Sequence, residues 1–592
     1  MTLGKPRRSI LVHLGVLLGF AALTVLMTWP LAFRMADSVP GWPGDNAFCV
    51  WLIWWFKRAL LDLHISPYVN PFVYFPEGFE LARSDMMLAN TLLALPVTAL
   101  WGPVVAYNGM LLLSFILTGF ATYLWVWRFT RDYVAGFIAG IIFAFSPFRM
   151  GHFPGHLMLM TTQWLPFSLY ALEELAHSRR LGFAALAGLF FALNAWAAWY
   201  YFYFSLIVVP LYILLRFANW RDNLRSPFFW QAIALGGSIA FVLIAAAAWP
   251  YLRSQGTLQR TFNDMESWGA DPTDFFVPNL LHPLWGEALR GLVPFQWKLW
   301  VEKNLYVGVI PLLLALVAIV KRRDKAVLAL VCTALVSFTL ALGPSLHWAG
   351  QRVYLTIPPG AMALLYRVGI TPYLTSRLDP GLLTDMQRNH YIFIPLPMLL
   401  LYLFVPFTNS MRAIARFGMV TILAVAALAG CGMARLKEYW TGLHIRWVVP
   451  ALVGAVLFEF LALPYEMTVL RPRPVDLWLA EQPKGVMVEL PVKDGINPLR
   501  DYYATVHQQA MVFGPIAGFV PSTLSERTER LGSFPDDQSI QALKEYGTTY
   551  MLVHTDKFAD WSYQVESWEA KDQLHLIRCF DTLCVYTLGT SK

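Results

Sequence analysis

The feature that most constrains this 592-residue chain is a series of apolar runs that are long enough, or nearly so, to cross a lipid bilayer. The runs occupy about residues 9–33, 107–127, 134–150, 157–176, 183–198, 199–216, 229–250, 304–320, 326–345, 413–433 and 446–464. Soluble chains carry roughly 25% charged residues, whereas this chain carries 14% and is 57% hydrophobic. The sequence therefore predicts a polytopic α-helical membrane protein with about eleven transmembrane helices.

Basic residues fall on one side of the membrane if these runs alone cross it. Lys5, Arg7 and Arg8 precede the first run, and further Lys and Arg clusters occupy alternate connections. Cytoplasmic loops are the ones enriched in Lys and Arg. We therefore expect a multi-pass protein of the plasma (inner) membrane with a cytoplasmic N-terminus and an extracytoplasmic tail. This placement also explains the net charge of +7 and argues against nucleic acid as a partner.

The apolar segment from Tyr391 to Phe407 does not fit this count. It contains Pro395, Pro397 and Pro406, and counting it as a span would put the tail in the cytoplasm. We predict a re-entrant or interfacial segment, which requires that protein covers its unpaired backbone groups.

The composition changes after the last apolar run, which predicts a membrane domain over residues 1–465 and a small α/β extracytoplasmic domain over residues 466–592. The pattern of residues 485–491 indicates a strand, 539–546 a helix, 549–554 a buried strand and 574–588 a hairpin. Cys579 and Cys584 face each other in this hairpin. A disulfide in an oxidising compartment and two buried thiols both agree with the sequence.

The first long outer loop, residues 34–106, carries the strongest candidate for chemistry. It opens with the sequence Pro40-Gly-Trp-Pro-Gly-Asp-Asn46 and continues into an amphipathic stretch, Ala47 to Leu63, rich in Trp and Phe. Such a stretch predicts a helix lying in the plane of the membrane interface. Asp45 at its start is either the N-cap of that helix or a general base that deprotonates an acceptor hydroxyl at the membrane surface.

A second group of polar residues, Arg149, His152 and His156, follows an apolar run at an outer helix end. Polar side chains beside the bilayer are unfavourable unless they face a wet cavity or pair with one another, so a site is one interpretation. An interfacial anchor, with Arg149 reaching the head groups, is the other. Metal binding by the two histidines is disfavoured because Pro154 between them interrupts a regular helix.

The order of these features resembles the GT-C superfamily of membrane glycosyltransferases, and more narrowly an uncharacterised bacterial branch of multispanning proteins. The likeness lies in Gly44-Asp45 of the first loop, in the segment from Phe145 to Arg149 with the histidines after it, and in Glu489-Leu-Pro491 of the tail. It implies an inverting transfer from a polyprenyl-phosphate sugar with Asp45 as the base. Many GT-C enzymes have a second acid beside the first, where this chain has Asn46, so Asp85 is the reserve candidate.

A lipid-phosphate donor also needs cations on the outer face. Arg253, Arg260, Arg412 and Arg416 are available, and a guanidinium group can bind a phosphate with two parallel hydrogen bonds. Arg412 and Arg416 are four residues apart at the start of a span, which would put them on one helical face. Binding of lipid head groups is the alternative for each of them.

The sequence therefore predicts a GT-C-like glycosyltransferase that uses a polyprenyl-phosphate sugar and a lipid or cell-envelope glycan acceptor. Its catalytic residues would be Asp45, His156, His152 and Asp85, and its substrate-binding residues would include Arg149 and the four outer arginines. No cofactor or obligatory metal ion is expected. A transporter or flippase of lipid-linked glycans and a non-catalytic envelope scaffold are the rival predictions.

Overall fold

The computed structural model describes residues 5–217, 219–253, 260–293, 300–321, 324–360, 364, 380–439, 443–492, 497–515, 523–570 and 573–589. Its helices are Lys5–Met27, Asp45–Lys57, Leu88–Trp101, Pro103–Thr130, Tyr133–Ala144, Pro147–His152, Leu157–Met160, Trp164–Ser178, Leu181–Ala197, Trp199–Arg216, Trp220–Arg225, Pro227–Arg253, Phe262–Ser267, Gly286–Leu292, Trp300–Lys303, Val309–Lys321, Lys325–Ala341, Pro380–Asn389, Pro397–Phe404, Gly418–Leu436, Leu443–Glu459, Pro474–Glu481, Arg500–His507, Thr523–Leu531, Asp537–Glu545 and Trp561–Ala570. Its strands are β1 (Ser38–Pro40), β2 (Val69–Asn70), β3 (Phe79–Glu80), β4 (His347–Trp348), β5 (Gln351–Arg352), β6 (Tyr354–Thr356), β7 (Tyr391–Phe393), β8 (Met467–Val469), β9 (Val486–Leu490), β10 (Ala510–Met511), β11 (Thr548–His554), β12 (Leu574–Phe580) and β13 (Leu583–Leu588).

Each of the predicted apolar runs contains a helix, and the chain is an integral membrane protein. Six stretches of the described chain are long and apolar enough to cross a membrane: Ser9–Met27, Pro103–Thr130, Tyr133–His152, Trp199–Arg216, Pro227–Arg253 and Ile414–Leu436. Shorter apolar helices lie at Leu88–Trp101, Leu181–Ala197, Val309–Lys321 and Lys325–Ala341. Helix Leu88–Trp101 lies inside the first outer loop, where the sequence analysis expected none.

Close contacts between helices depend on small residues at particular positions. A Cβ atom at Gly432 would overlap the backbone carbonyl of Leu314, and one at Gly188 would overlap the backbone of Gly236. Glycine therefore lets these helix pairs approach backbone to backbone, as is common among membrane helices.

The chain breaks its regular helix three times between residues 144 and 164, and these breaks shape the candidate site. Helix Tyr133–Ala144 stops before Pro147, which opens the short helix Pro147–His152. Proline suits a first helical turn because it has no N–H to satisfy. A further short helix, Leu157–Met160, follows before the long helix beginning at Trp164. The predicted runs 134–150 and 157–176 are thus joined by a compact series of turns that carries both histidines.

The predicted strands and the predicted helix of the tail are present. The strands belong to one five-stranded sheet. Its strand order is β10-β9-β11-β13-β12, in which β10 and β11 run parallel to β9 and the other pairs are antiparallel. Cys579 and Cys584 pair across the β12–β13 hairpin and form a disulfide, which decides between the two readings of the sequence.

The first outer loop and the tail are joined by main-chain pairing. Strand β1 pairs with β8 in antiparallel register, and the backbone of Met511 exchanges hydrogen bonds with Phe72 and Phe75 at 2.7 and 3.0 Å. The buried guanidinium group of Arg527 donates to the carbonyl of Phe75 at 2.9 Å. These bonds fix the tail against the loop that carries Asp45.

The aromatic helix of the first loop is buried in protein, and its predicted orientation in the plane of the membrane interface stays a prediction. Helix Asp45–Lys57, extended by a π-helical turn Arg58–Asp62, contacts helices Leu88–Trp101 and Pro103–Thr130 on one side and Arg500–His507 of the tail on the other. Trp51 and Trp55 are each only 1% exposed. The aromatic block therefore serves as core between the helical part and the tail.

The segment from Tyr391 to Phe407 forms strand β7 and an eight-residue helix, Pro397–Phe404. At 1.5 Å per residue this helix is about 12 Å long, far shorter than a hydrocarbon core of about 30 Å. Its length agrees with the predicted re-entrant or interfacial segment.

Candidate functional site

The turn before helix Asp45–Lys57 is held by Asn46, not by Asp45. The Asn46 amide donates to the carbonyls of Trp42 at 2.8 Å and Pro40 at 3.1 Å. Its Oδ1 accepts from the N–H groups of Gly44 at 3.1 Å and Ala47 at 2.8 Å. Because Asn46 satisfies these backbone donors, the Asp45 carboxylate is free for another partner. The N-cap interpretation of Asp45 is wrong, because the N-cap residue is Gly44 and no side chain caps the helix.

Asp45 instead binds a histidine from the connection after helix Pro147–His152. Its Oδ2 lies 3.1 Å from Nε2 of His156, and the Asp45 side chain remains 48% exposed. The hydrogen bond from His156 lowers the pKa of Asp45 below its ordinary value, against the effect of burial, and the charges of Arg412 and Arg416 act in the same direction. The geometry therefore keeps an ionised, solvent-accessible carboxylate at the start of the loop helix.

The histidine is part of a row of charged and polar side chains that leads inward from Asp45. Nδ1 of His156 lies 3.2 Å from Nδ1 of His152, and Nε2 of His152 lies 3.7 Å from Oε2 of Glu302. Glu302 in turn accepts hydrogen bonds from Arg416, the shortest at 2.6 Å. We call these five residues, Asp45, His156, His152, Glu302 and Arg416, the charged row.

Glu302 is buried in this row but remains ionised. Burial alone would raise the pKa of the carboxyl group, but the charges of Arg416 and His152 and the hydrogen bonds from Arg416 lower it to about 2. Glu302 and Lys303 are adjacent in the sequence at the start of an apolar run, which by itself favours an interfacial ion pair between them. Lys303 instead lies 3.7 Å from Asp274, and Glu302 is the inner anion of the site.

The contact between the two histidines links their tautomers. If both rings are neutral and His156 donates to Asp45, then His152 must donate through Nδ1, and its bare Nε2 faces Glu302. If His152 carries its proton on Nε2 instead, the bare nitrogen of His156 faces Asp45. The hydrogen bond that Asp45 receives from His156 therefore depends on the tautomer of His152.

The reserve acid, Asp85, lies in the same electrostatic environment. Its Oδ1 accepts from the N–H of Met87 at 3.3 Å. Burial raises the pKa of Asp85 to about 6, although the Met87 hydrogen bond and the charge of Arg416 oppose that rise. Asp45 and Asp85 are therefore two carboxylates whose pKa values are shifted in opposite directions, a pattern typical of distinct acid and base roles.

The outer arginines differ in how far they are engaged by the protein. Arg416 forms a hydrogen-bonded ion pair with Glu302, and its guanidinium carbon lies 4.6 Å from the ring centroid of Tyr200. Arg412 is half-buried, stacks on Trp268 at 4.1 Å and acts electrostatically on Asp45. Both precede helix Gly418–Leu436, and residues 414–417 form a 3-10 turn. The expected common helical face is thus absent, but tertiary structure brings both charges near Asp45.

The other two outer arginines lie at the ends of neighbouring segments. Arg253 ends helix Pro227–Arg253 and stacks on Trp249 at 4.7 Å. The backbone N–H of Arg260 donates to Asn409 at 2.8 Å, beside the turn that leads to Arg412. No contact among the described residues joins either one to the charged row, so phosphate binding by Arg253 and Arg260 stays a prediction.

Arg149 is a structural residue, which corrects the prediction that it binds substrate directly. Its side chain is fully buried and donates to the carbonyls of Ala144 at 2.9 Å and Met160 at 2.5 Å. It also bonds the hydroxyl groups of Thr118 and Thr162. The guanidinium group thereby ties together the broken helices around the histidines. His152 is likewise fully buried, so it acts on Asp45 only through His156.

His507 ends helix Arg500–His507 of the tail, which contacts the helix that begins at Asp45. It is fully buried, and burial lowers its pKa to about 3, so it is a neutral core residue.

The described part of the chain contains no group of three or more His, Cys, Asp or Glu side chains arranged to hold a metal ion. The prediction that the protein needs no metal or other cofactor stays a prediction.

Residues 16–368, more than half of the chain, match the family described as "Domain of unknown function (DUF6311)". The chain belongs to this family. The matched region of the DUF6311 protein contains Asp45, Asp85, His152, His156 and Glu302. No curated protein matches the DUF6311 sequence.

Solved structures show the fold of the DUF6311 protein. Arabinofuranosyltransferase AftD from Mycobacteria matches 97% of this chain at a TM-score of 0.57 with 14% sequence identity. This chain spans only 40% of the AftD chain. The match confirms the GT-C fold expected from the sequence.

Two further structures have lower similarity. The oligosaccharyltransferase of Archaeoglobus fulgidus matches 98% of this chain and 74% of its own at 12% identity and a TM-score of 0.45. ArnT from Cupriavidus metallidurans, bound to undecaprenyl phosphate, matches 98% of both chains at 11% identity and a TM-score of 0.42. Because both TM-scores are below 0.5, the fold assignment depends on AftD.

Proposed function

We propose that this protein is a membrane glycosyltransferase that transfers a sugar from a polyprenyl-phosphate donor to a lipid or cell-envelope glycan. The observation that carries the proposal is the Asp45–His156 pair, an ionised and half-exposed carboxylate at the start of the loop helix with Arg412 and Arg416 in electrostatic range. The shared fold with AftD, an arabinofuranosyltransferase, supports the same class of reaction.

In the proposed reaction Asp45 is the general base. The acceptor hydroxyl oxygen attacks the anomeric carbon of the donor from the face opposite the phosphate, and the bond from that carbon to the phosphate oxygen breaks. The hydroxyl proton passes to the Asp45 carboxylate, and polyprenyl phosphate leaves with the bonding electrons, so the configuration inverts. A base within hydrogen-bond reach of the attacking hydroxyl contributes typically 10²–10⁴-fold to the rate.

The remaining residues of the site have supporting roles in this proposal. Arg412, which no ion pair of the described residues engages, would bind the donor phosphate, with Arg253 and Arg260 at the edge. His156 orients Asp45 and can take over the proton, while His152, Glu302 and Arg416 fix His156. Trp42, which is 53% exposed and precedes Asp45 in the same turn, offers an aromatic face for the acceptor sugar.

The finer architecture belongs to the same proposal. We infer about eleven spans, a cytoplasmic N-terminus in the inner membrane and an extracytoplasmic site. We also infer that residues 1–465 form the membrane domain and residues 466–592 a small α/β domain. The disulfide between Cys579 and Cys584 supports an oxidising location for the tail.

The test uses the purified full-length protein in liposomes with farnesyl-phosphate-linked sugars, beginning with arabinofuranose. Release of farnesyl phosphate is measured for the wild type, for Asp45→Asn and for Asp62→Asn. Asp62 is a matched control because it lies in the same loop, exposed and paired only with Lys57 among the described residues. We expect Asp45→Asn to reduce release by at least about 10²-fold, and Asp62→Asn to leave it unchanged.

Full activity of a folded Asp45→Asn protein would refute the assignment of the base. Movement of the lipid-linked sugar across the bilayer without release of farnesyl phosphate would instead identify a flippase.

A further inference from the structure

The parallel strands of the tail sheet form a crevice at their carboxyl ends. The strand order is β10-β9-β11, so the chain leaves β9 toward one side to form β10 and then crosses to the other side to form β11. In open α/β sheets, ligands bind where such connections diverge, outside the carboxyl ends of the strands. Here that point lies between Glu489 at the end of β9 and His554 at the end of β11.

A cavity of about 300 Å³ occupies this point, and we call it the tail cavity. Its lining includes Glu489, His554, Asn497, Arg500, Phe513 and Lys557. Small-molecule sites range from about 300 to 1,000 Å³ and combine apolar surface with a few convergent polar groups. The tail cavity therefore suits a ligand the size of one or two sugar rings.

The polar wall of the cavity is fixed in position by its own hydrogen bonds. The Glu489 carboxylate accepts from Nη1 of Arg473 at 2.8 Å, from Nε2 of His554 at 2.7 Å and from Nδ2 of Asn497 at 3.5 Å. Arg473 is itself held by Asp476 at 2.9 Å and stacks on Tyr503 at 4.0 Å. These contacts keep Glu489 ionised and rigid without using all the lone pairs of its two oxygens.

One donor in the wall has no hydrogen-bond partner among the described residues. Arg500 is only 6% exposed, and its Nε makes no hydrogen bond, although Oδ1 of Asp501 lies 3.8 Å away. A buried polar group without a partner is unfavourable by about 1–3 kcal/mol. The Nε atom has almost no accessible surface, so Arg500 contributes a fixed positive charge to the wall rather than a hydrogen bond to a ligand.

The charge around the cavity favours an uncharged ligand. Arg473 pairs with two carboxylates, Asp476 and Glu489, and Arg500 lies beside Asp501. The one excess negative charge of these groups is offset by Lys557, which is exposed at the rim. A neutral molecule with several hydroxyl groups can both accept from and donate to such a wall, and its apolar face can pack on Phe513.

We propose that the tail cavity is a carbohydrate-binding site for one or two residues of a glycan, separate from the transfer site at Asp45. Glu489 and Asn497 bind adjacent hydroxyl groups, and Phe513 contacts the face of the sugar ring. The site does not require the reaction proposed for Asp45. It would keep a glycan bound to the tail beside the loop that carries the charged row.

The test measures binding of methyl glycosides of arabinofuranose, mannose, glucose and galactose to the full-length protein in nanodiscs, by saturation-transfer NMR and calorimetry. We expect at least one glycoside to bind with a millimolar dissociation constant. Asn497→Ala and Glu489→Gln should each weaken that binding by about tenfold or more. Gln541→Ala, an exposed polar position on helix Asp537–Glu545, is the matched control and should leave it unchanged.

Two results would overturn the proposal. The first is that no glycoside binds, or that binding is equal in wild type and in a folded Asn497→Ala protein, which decides the matter even if Glu489→Gln does not fold. The second is that inorganic phosphate binds and Lys557→Ala abolishes it, which would make the cavity an anion site. Asp45→Asn should retain glycoside binding, so failure of the transfer proposal and failure of this one are distinguishable.

Discussion

The opposite pKa shifts of Asp45 and Asp85 predict a pH profile that identifies the base. The pKa of Asp45 lies below 3.8 because His156 hydrogen-bonds to its carboxylate, whereas burial raises the pKa of Asp85 to about 6. A general base works in its ionised form, which is present above its pKa and is lost as the pH falls through it. The two candidates therefore lose activity in different pH ranges.

The size of the difference follows from the ionised fractions. At pH 5 a carboxyl group with a pKa near 6 is ionised to about 9%, against about 91% at pH 7, so a reaction that depends on Asp85 would slow about tenfold. A carboxyl group with a pKa below 3.8 remains more than about 94% ionised at pH 5. If Asp45 is the base, its ionisation contributes a loss of less than about 10% over that interval.

The assay is kcat/KM for release of farnesyl phosphate between pH 4 and pH 8, since this parameter reports the ionisation of the free enzyme. We expect little decline from pH 7 to pH 5 in the wild type and in Asp62→Asn. His156→Gln removes the main cause of the lowered pKa of Asp45, so its acidic limb should move to higher pH. A tenfold fall centred near pH 6 in the wild type that disappears in Asp85→Asn would refute Asp45 as the base. If the same fall persists in Asp85→Asn but is absent from His156→Gln, the group that titrates near pH 6 is the histidine pair.

Three further outcomes are expected from other parts of the structure. Arg412→Ala should raise KM for the farnesyl-phosphate sugar about tenfold with little change in kcat, because one charged hydrogen bond to phosphate is worth about 1.5–3 kcal/mol; an unchanged KM, equal to that of the exposed control Arg471→Ala, would contradict this role. Glu302→Gln leaves Arg416 buried without its counter-ion and should lower the free energy of unfolding by about 3–5 kcal/mol. The control is Glu438→Gln, which removes one partner of a surface ion pair. A thermal midpoint of Glu302→Gln equal to that of the control would contradict the stabilising role of the Glu302–Arg416 pair. Replacing Cys579 and Cys584 by Ser removes a disulfide across a separation of five residues and should destabilise the tail by about 2 kcal/mol. The measurement is thermal unfolding monitored by proteolysis, with Cys332→Ser as a control that should not destabilise the tail. Equal unfolding midpoints would show that the disulfide is dispensable.

Local chain chemistry determined most of the secondary structure. Apolar runs become helices because a backbone in lipid must satisfy its own hydrogen bonds, and each predicted run does contain a helix. Short apolar runs near 486–490 and 548–554 indicated buried strands, and Pro147 opens a short helix after helix Tyr133–Ala144 ends. The Pro-Gly sequence before Asp45 likewise indicated a turn.

Only the tertiary structure decided what those elements do. Glu302 and Arg416 are 114 residues apart in the chain, and nothing local distinguishes that pair from a surface ion pair such as Arg435 with Glu438. The tertiary packing likewise turned Arg149 inward, buried the aromatic loop helix against the tail and paired Asp45 with His156. Sequence patterns fix properties that depend on neighbours within a few residues, whereas the partner of a charged side chain depends on which distant helices pack beside it.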